Sequence, residues 1–93
     1  MREEFYKFLD IYTLFSMPNH NKIMNLKGLI DKVKDSDDLE EIYKKSGKIN
    51  AFMRKYVEPQ HPIHQAWNKF MMCLMKGKYG GYYEIYGNEE VIR

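Results

Sequence analysis

The strongest constraint on the fold is the spacing of apolar residues, which recurs every three or four positions between residues 3 and 76. This spacing places side chains on one face of an α-helix. The first apolar stripe consists of Phe5, Phe8, Leu9, Tyr12 and Phe15. It ends before Pro18, because the residue that precedes a proline is pushed out of the helical region. The sequence therefore predicts a first helix that stops near Met17.

Three further stripes follow the first one. The second is Ile23, Leu26, Leu29, Ile30 and Val33, and the fourth is Ile63, Ala66, Trp67, Phe70, Cys73 and Leu74. In the third, Ser46 and Gly47 interrupt the apolar residues. This interruption favours two helices, at about 38–45 and 48–57, over one helix bent at Gly47. Asp37 and Glu40 resemble a capping box at the start of this segment.

The fourth stripe begins at the segment His61-Pro62-Ile63-His64 and is expected to end at Gly77. Pro62 suits the first turn of a helix, where a backbone N–H has no partner to lose. We expect His61 to lie at the helix cap, and His64 to lie at the edge of the Trp67–Met71 face, at the protein surface. Trp67 is expected to be the central core residue, packed against the first helix.

The C-terminal residues have a different character. Tyr82–Tyr86 and Glu89–Ile92 flank Gly87-Asn88, a pattern typical of two short strands joined by a tight turn. The chain is therefore expected to be one mainly α domain over residues 1–93. Its helical core, at about 3–76, is a compact bundle of four or five short helices, and a β-hairpin tail covers about 77–93.

Composition excludes several classes of protein. Cys73 is the only cysteine, so no disulfide can form within the chain. No apolar run approaches the roughly 20 residues needed to cross a bilayer, which predicts a cytoplasmic protein without a membrane partner. The net charge of +2 permits a local basic patch without requiring one.

The two neighbouring histidines, His61 and His64, raise the question of a metal or catalytic site. Cys73 lies nine residues after His64, about half a turn away in direction on a helix. No Asp or Glu occurs between residues 59 and 83, so a local carboxylate ligand is absent. His20 would have to complete any ligand set through tertiary folding. We therefore predict no cofactor, no metal and no catalytic residue.

Two surfaces are candidates for binding. The densest basic region contains Lys44, Lys45, Lys48, Arg54 and Lys55. Such a region, with Tyr43 and Tyr56 nearby, is suited to a nucleic-acid backbone and its bases. The tail is suited to a protein partner, because tyrosine adds contact area at low entropic cost. The predicted protein interface there is Lys78, Tyr79, Tyr82, Tyr83 and Tyr86. The exposed hairpin edge would also allow a homodimer.

The order of the stripes resembles the YozE family of small bacterial proteins, which have a sterile-alpha-motif-like helical fold. The resemblance rests on Phe5–Leu9, on Ile49, Phe52 and Met53, and on Ala66-Trp67, and it spans about residues 4–72. It implies a compact bundle of four or five helices. The family has no established activity, so the resemblance assigns no functional residue.

These observations favour a small, non-enzymatic regulatory module that binds another protein, a role that would also suit an inhibitor from a phage or mobile element. The alternative is a nucleic-acid-binding protein that uses the region from Lys44 to Lys55.

Overall fold

The computed structural model describes residues 1–16 and 18–79 as an all-helical bundle. This confirms the mainly α class that the apolar spacing predicts, whereas the predicted hairpin lies outside the described residues. The bundle consists of α1 (Arg2–Tyr12), α2 (His20–Lys32), α3 (Leu39–Tyr56) and α4 (Pro62–Tyr79).

The four helices share one hydrophobic core, with its aromatic centre between α1 and α4. Phe8 meets the indole of Trp67 edge-on, with ring centroids 5.0 Å apart. Phe5 meets Phe70 in the same way at 4.8 Å. Trp67 is fully buried, so its predicted place at the centre of the core is confirmed. α3 closes the bundle by contacting both α2 and α4.

α3 is one continuous helix of 18 residues, so the prediction of two helices is wrong. The reason is that the apolar face stays in phase across the interruption: Ile42 and Ile49 are seven residues, about two turns, apart and both are buried. Ser46 faces the core between them, and its hydroxyl donates to the Ile42 carbonyl at 2.7 Å. The continuous core face outweighs the roughly 1 kcal/mol that Gly47 costs a helix.

The start of α3 also differs from the expected capping box. The N-cap is Asp38, with φ of 46°, and its side chain makes no capping hydrogen bond. A left-handed conformation is tolerated by Asp and Asn better than by most residues. The turn before α3 is therefore built on backbone geometry, and the pairing of Asp37 with Glu40 is not used.

α4 runs past Gly77 to Tyr79, so the predicted helix end at Gly77 is wrong. The glycine serves the packing of α4 against the start of α3 instead. A Cβ at position 77 would lie 3.2 Å from Leu39 Cδ1. A larger residue at position 77 would thus require the Leu39 side chain to shift by a few tenths of an ångström.

An exposed polar cluster joins α1 to α2. The Tyr6 hydroxyl and the Lys27 ammonium both donate to the Asp31 carboxylate, the latter at 2.7 Å. These hydrogen bonds, that from Lys27 first, lower the pKa of Asp31. The hydrogen bond to the same carboxylate raises the pKa of Tyr6 and the pKa of Lys27. The three side chains are engaged within the fold.

Candidate nucleic-acid interface

An open groove of about 350 Å³ lies between α2 and α3 and is lined mainly by lysines. We call it the basic groove. α3 contributes three of the predicted basic residues, and α2 contributes a fourth lysine together with one amide and one apolar side chain. Its lining residues are Lys22, Asn25, Leu26, Lys44, Lys45 and Lys48.

The groove follows from the helical repeat of α3. Lys44 and Lys48 are one turn apart, so both side chains leave the helix in nearly the same direction. Ile42 and Ile49 occupy the opposite side of α3 and are buried. Burial of the apolar face against α2 and α4 thus turns the lysines outward, where Lys22 of α2 joins them.

Acidic residues compensate part of the positive charge in the basic groove, since Glu40 interacts electrostatically with Lys44. Glu41 lies 3.5 Å from the Lys45 ammonium and neutralises part of its charge. Within residues 1–16 and 18–79, no carboxylate comes within ion-pair distance of Lys22, Lys44 or Lys48. The basic groove therefore presents several ammonium groups to any anion that enters it.

The other two predicted basic residues lie outside the groove. Lys55 is eleven residues after Lys44 and points within about 20° of the same direction, further along α3. Arg54 is turned about 80° from Lys44, toward the other side of the helix. The predicted region is thus divided: Lys44, Lys48 and Lys55 form one stripe along α3, and Arg54 lies beside it.

Lys78, one of the residues predicted to contact a protein partner, is tied into the fold. Its ammonium lies 2.8 Å from Glu40 Oε2 and 4.1 Å from the centre of the Tyr43 ring. The hydrogen bond from Lys78 lowers the pKa of Glu40. The Lys78 side chain is only 16% exposed, so its main contacts join the end of α4 to the start of α3. Tyr79 ends α4.

The other tyrosines predicted at the protein interface are Tyr82, Tyr83 and Tyr86, and they lie outside the described residues.

Lys22 is the one lysine of the basic groove that the sequence reasoning missed. It stands alone among polar residues at the start of α2, 22 positions before Lys44 in the chain. The only signal for it is the short connection between α2 and α3, which brings successive helices side by side. Its place in the basic groove depends on that tertiary packing.

His61 caps α4, as its position before Pro62 predicts. Its Nδ1 accepts the backbone N–H of Ile63 at 3.1 Å, and its carbonyl accepts the N–H of Gln65 at 3.0 Å. The ring also meets Phe15 edge-on at 4.7 Å. These contacts give His61 a structural role at the start of the helix.

His64 is buried, with 6% of its surface exposed, so its predicted place at the protein surface is wrong. Its Nδ1 lies 2.8 Å from the carbonyl oxygen of Val57. Because a carbonyl oxygen can only accept, Nδ1 carries the hydrogen and donates it. The ring thereby provides a hydrogen-bond partner for a backbone carbonyl at the C-terminal end of α3. In residues 1–16 and 18–79, no group of three or more His, Cys, Asp or Glu side chains is arranged to hold a metal.

Replacing His64 with alanine is expected to lower the free energy of unfolding by about 1–3 kcal/mol, because the buried Val57 carbonyl loses its partner. His61→Ala, which removes a half-exposed cap, is expected to cost about 1 kcal/mol or less. Urea denaturation followed by circular dichroism measures both. A His64→Ala protein as stable as His61→Ala would contradict the buried hydrogen bond.

The chain was compared with protein-family models, with curated proteins and with solved structures, and no match was found. The resemblance to the YozE family therefore stays a prediction. None of the helices in the described part of the chain has the length and apolar character that a membrane span requires.

Proposed function

We propose that the protein is a small non-enzymatic binding module that binds nucleic acid through the basic groove. The observation that carries this proposal is the convergence of Lys22 with Lys44 and Lys48, none of which has a carboxylate within ion-pair distance in the described part of the chain. Like charges held close together repel one another, so the fold gains nothing from gathering them. A bound polyanion removes that repulsion.

The chemistry of the groove suits a phosphate backbone. Lysine is a flexible point charge that pairs with phosphate oxygens without demanding a fixed geometry. The amide of Asn25 adds a neutral hydrogen-bonding group beside the lysines. A row of such groups contacts successive phosphates of a strand and displaces its counterions, which drives binding at low salt.

Binding to fluorescently labelled oligonucleotides at low salt, followed by anisotropy, tests the proposal. The groove variant combines Lys22→Gln, Lys44→Gln and Lys48→Gln. We expect it to bind weaker than the natural protein by roughly tenfold or more, because three phosphate contacts are lost. The substitutions are on the surface, so the circular dichroism spectrum should not change.

The matched control combines Lys7→Gln, Lys32→Gln and Lys69→Gln, three exposed lysines outside the basic groove. It removes the same charge. It is expected to bind within about twofold of the natural protein, because the proposed phosphate contacts are made in the basic groove and not by these lysines. Equal affinity of the two variants would show that only total charge matters. That result, or no binding to either DNA or RNA, would refute the proposal.

A protein partner is the second candidate, and two apolar side chains after α1 favour it. Leu14 is 77% exposed and Phe15 is also exposed, so neither is buried in the hydrophobic core. Adjacent exposed apolar residues are typical of protein interfaces. A partner whose capture requires Leu14 and not the groove lysines would favour this role, which would fit the proposed regulatory module.

A further inference from the structure

Tyr56, at the C-terminal end of α3, is the most exposed Tyr, Phe or Trp residue within residues 1–16 and 18–78, at 66%. Its ring leans on Phe52, with centroids 5.1 Å apart, and Phe52 in turn packs against the core. The ring is therefore supported from one side by Phe52, while the residue as a whole is well exposed. The Tyr56 ring therefore contributes little to the hydrophobic core.

Tyr56 also lies beside the lysine stripe of α3. It follows Lys48 by eight residues, about 12 Å along the helix axis, and is rotated from it by about 80°. The Lys55 ammonium lies 5.3 Å from the centre of the Tyr56 ring. A strand whose phosphates contact Lys48 and then Lys55 would therefore carry a base to the Tyr56 ring.

Tyr43, the other tyrosine of α3, and Tyr6, an exposed tyrosine of α1, are already engaged in contacts within the fold. Tyr43 lies under the ammonium of Lys78 at 4.1 Å. On α1, Tyr6 donates its hydroxyl to Asp31. Tyr56 thus combines high exposure with a neighbouring lysine, Lys55, that can contact the phosphate next to a stacked base.

We infer that the basic groove binds single-stranded nucleic acid and that Tyr56 is the platform on which one base stacks. This inference rests on the proposed function. In a duplex the faces of the bases are covered by their neighbours, and only their edges are accessible in the grooves. An exposed ring stacks on an unpaired base without the cost of unstacking a duplex, and this contact adds to the backbone attraction of the lysines.

Anisotropy titrations with one labelled sequence, as a single strand and as its duplex, test the inference. The natural protein should bind the single strand more tightly. Tyr56→Ala should weaken single-strand binding by about 5- to 150-fold, the range for loss of one stacked base, and leave duplex binding within about twofold. Tyr56→Phe should retain the preference, because the ring remains.

Met72→Ala is the control, since Met72 is exposed on α4 and also apolar. It should leave both affinities unchanged, and melting curves should show that all three variants are folded. Equal affinities of the natural protein for strand and duplex, or an equal effect of Tyr56→Ala on both, would overturn the inference. The proposed function would still stand if the lysine groove variant loses binding and its matched control does not.

Discussion

Trp67→Ala is expected to unfold the protein or bring it close to unfolding at room temperature. The indole is fully buried and contacts the rings of Phe8 and Phe70, with centroids at 5.0 Å and 5.4 Å. Truncating such a side chain costs about 3–5 kcal/mol through lost burial and the cavity left behind. A domain has about 5–15 kcal/mol in total, and a chain this short lies toward the lower end.

Urea denaturation followed by circular dichroism measures this loss. Trp67→Phe is a useful companion, because it keeps an aromatic ring and removes the hydrogen bond from Nε1 to Asn50 Oδ1, which is 3.4 Å long. It should be destabilised less than Trp67→Ala. Tyr56→Ala, at an exposed site, should cost about 0.5 kcal/mol or less. A Trp67→Ala protein of nearly natural stability would contradict the central position of the indole in the core.

Gly47→Pro is expected to lower the free energy of unfolding by about 3 kcal/mol or more. Proline has no backbone N–H, so the helical bond from residue 47 to the carbonyl of Tyr43 cannot form. Its ring also clashes with that carbonyl in a continuous helix. The effect is large because residues on both sides of Gly47, Ile42 and Ile49, are held in the core by one helix face.

Gly47→Ala is the matched control, and it should stabilise the protein by about 0.5–1 kcal/mol. Position 47 is exposed, and a Cβ there would meet no atom within 4 Å, so the helical preference of alanine acts unopposed. Both variants can be measured by urea denaturation. If Gly47→Pro were tolerated while Gly47→Ala destabilised the protein, α3 would be two helices that break at this residue.

The mainly helical class and the core residues were predictable because burial decides both. Trp67 and the stripes around it recur at helical spacing, and a small domain must bury them. Local signals were weaker guides. Gly47 and Gly77 both indicated helix ends. In each case the helix continues past the glycine, because the residues beside it pack against the rest of the fold and keep the helix intact.

The candidate site was predictable in part. Lys44, Lys45 and Lys48 are close in sequence, so helical periodicity alone places them near one another. Lys22 enters the basic groove through the packing of α2 on α3, and sequence spacing cannot show that contact. The prediction for His64 was wrong for a similar reason. Its hydrogen-bond partner is the backbone carbonyl of Val57, and the residue types in the sequence give no signal for a contact to a backbone atom.

The salt dependence of single-strand binding tests the central claim most directly. The logarithm of the binding constant should fall linearly with the logarithm of salt concentration, by about 0.7 per phosphate contact. The variant with Lys22→Gln, Lys44→Gln and Lys48→Gln should have a slope shallower by about 2, for three lost contacts. The natural slope should persist in the control with Lys7→Gln, Lys32→Gln and Lys69→Gln. Equal slopes for all three proteins would contradict binding through the basic groove.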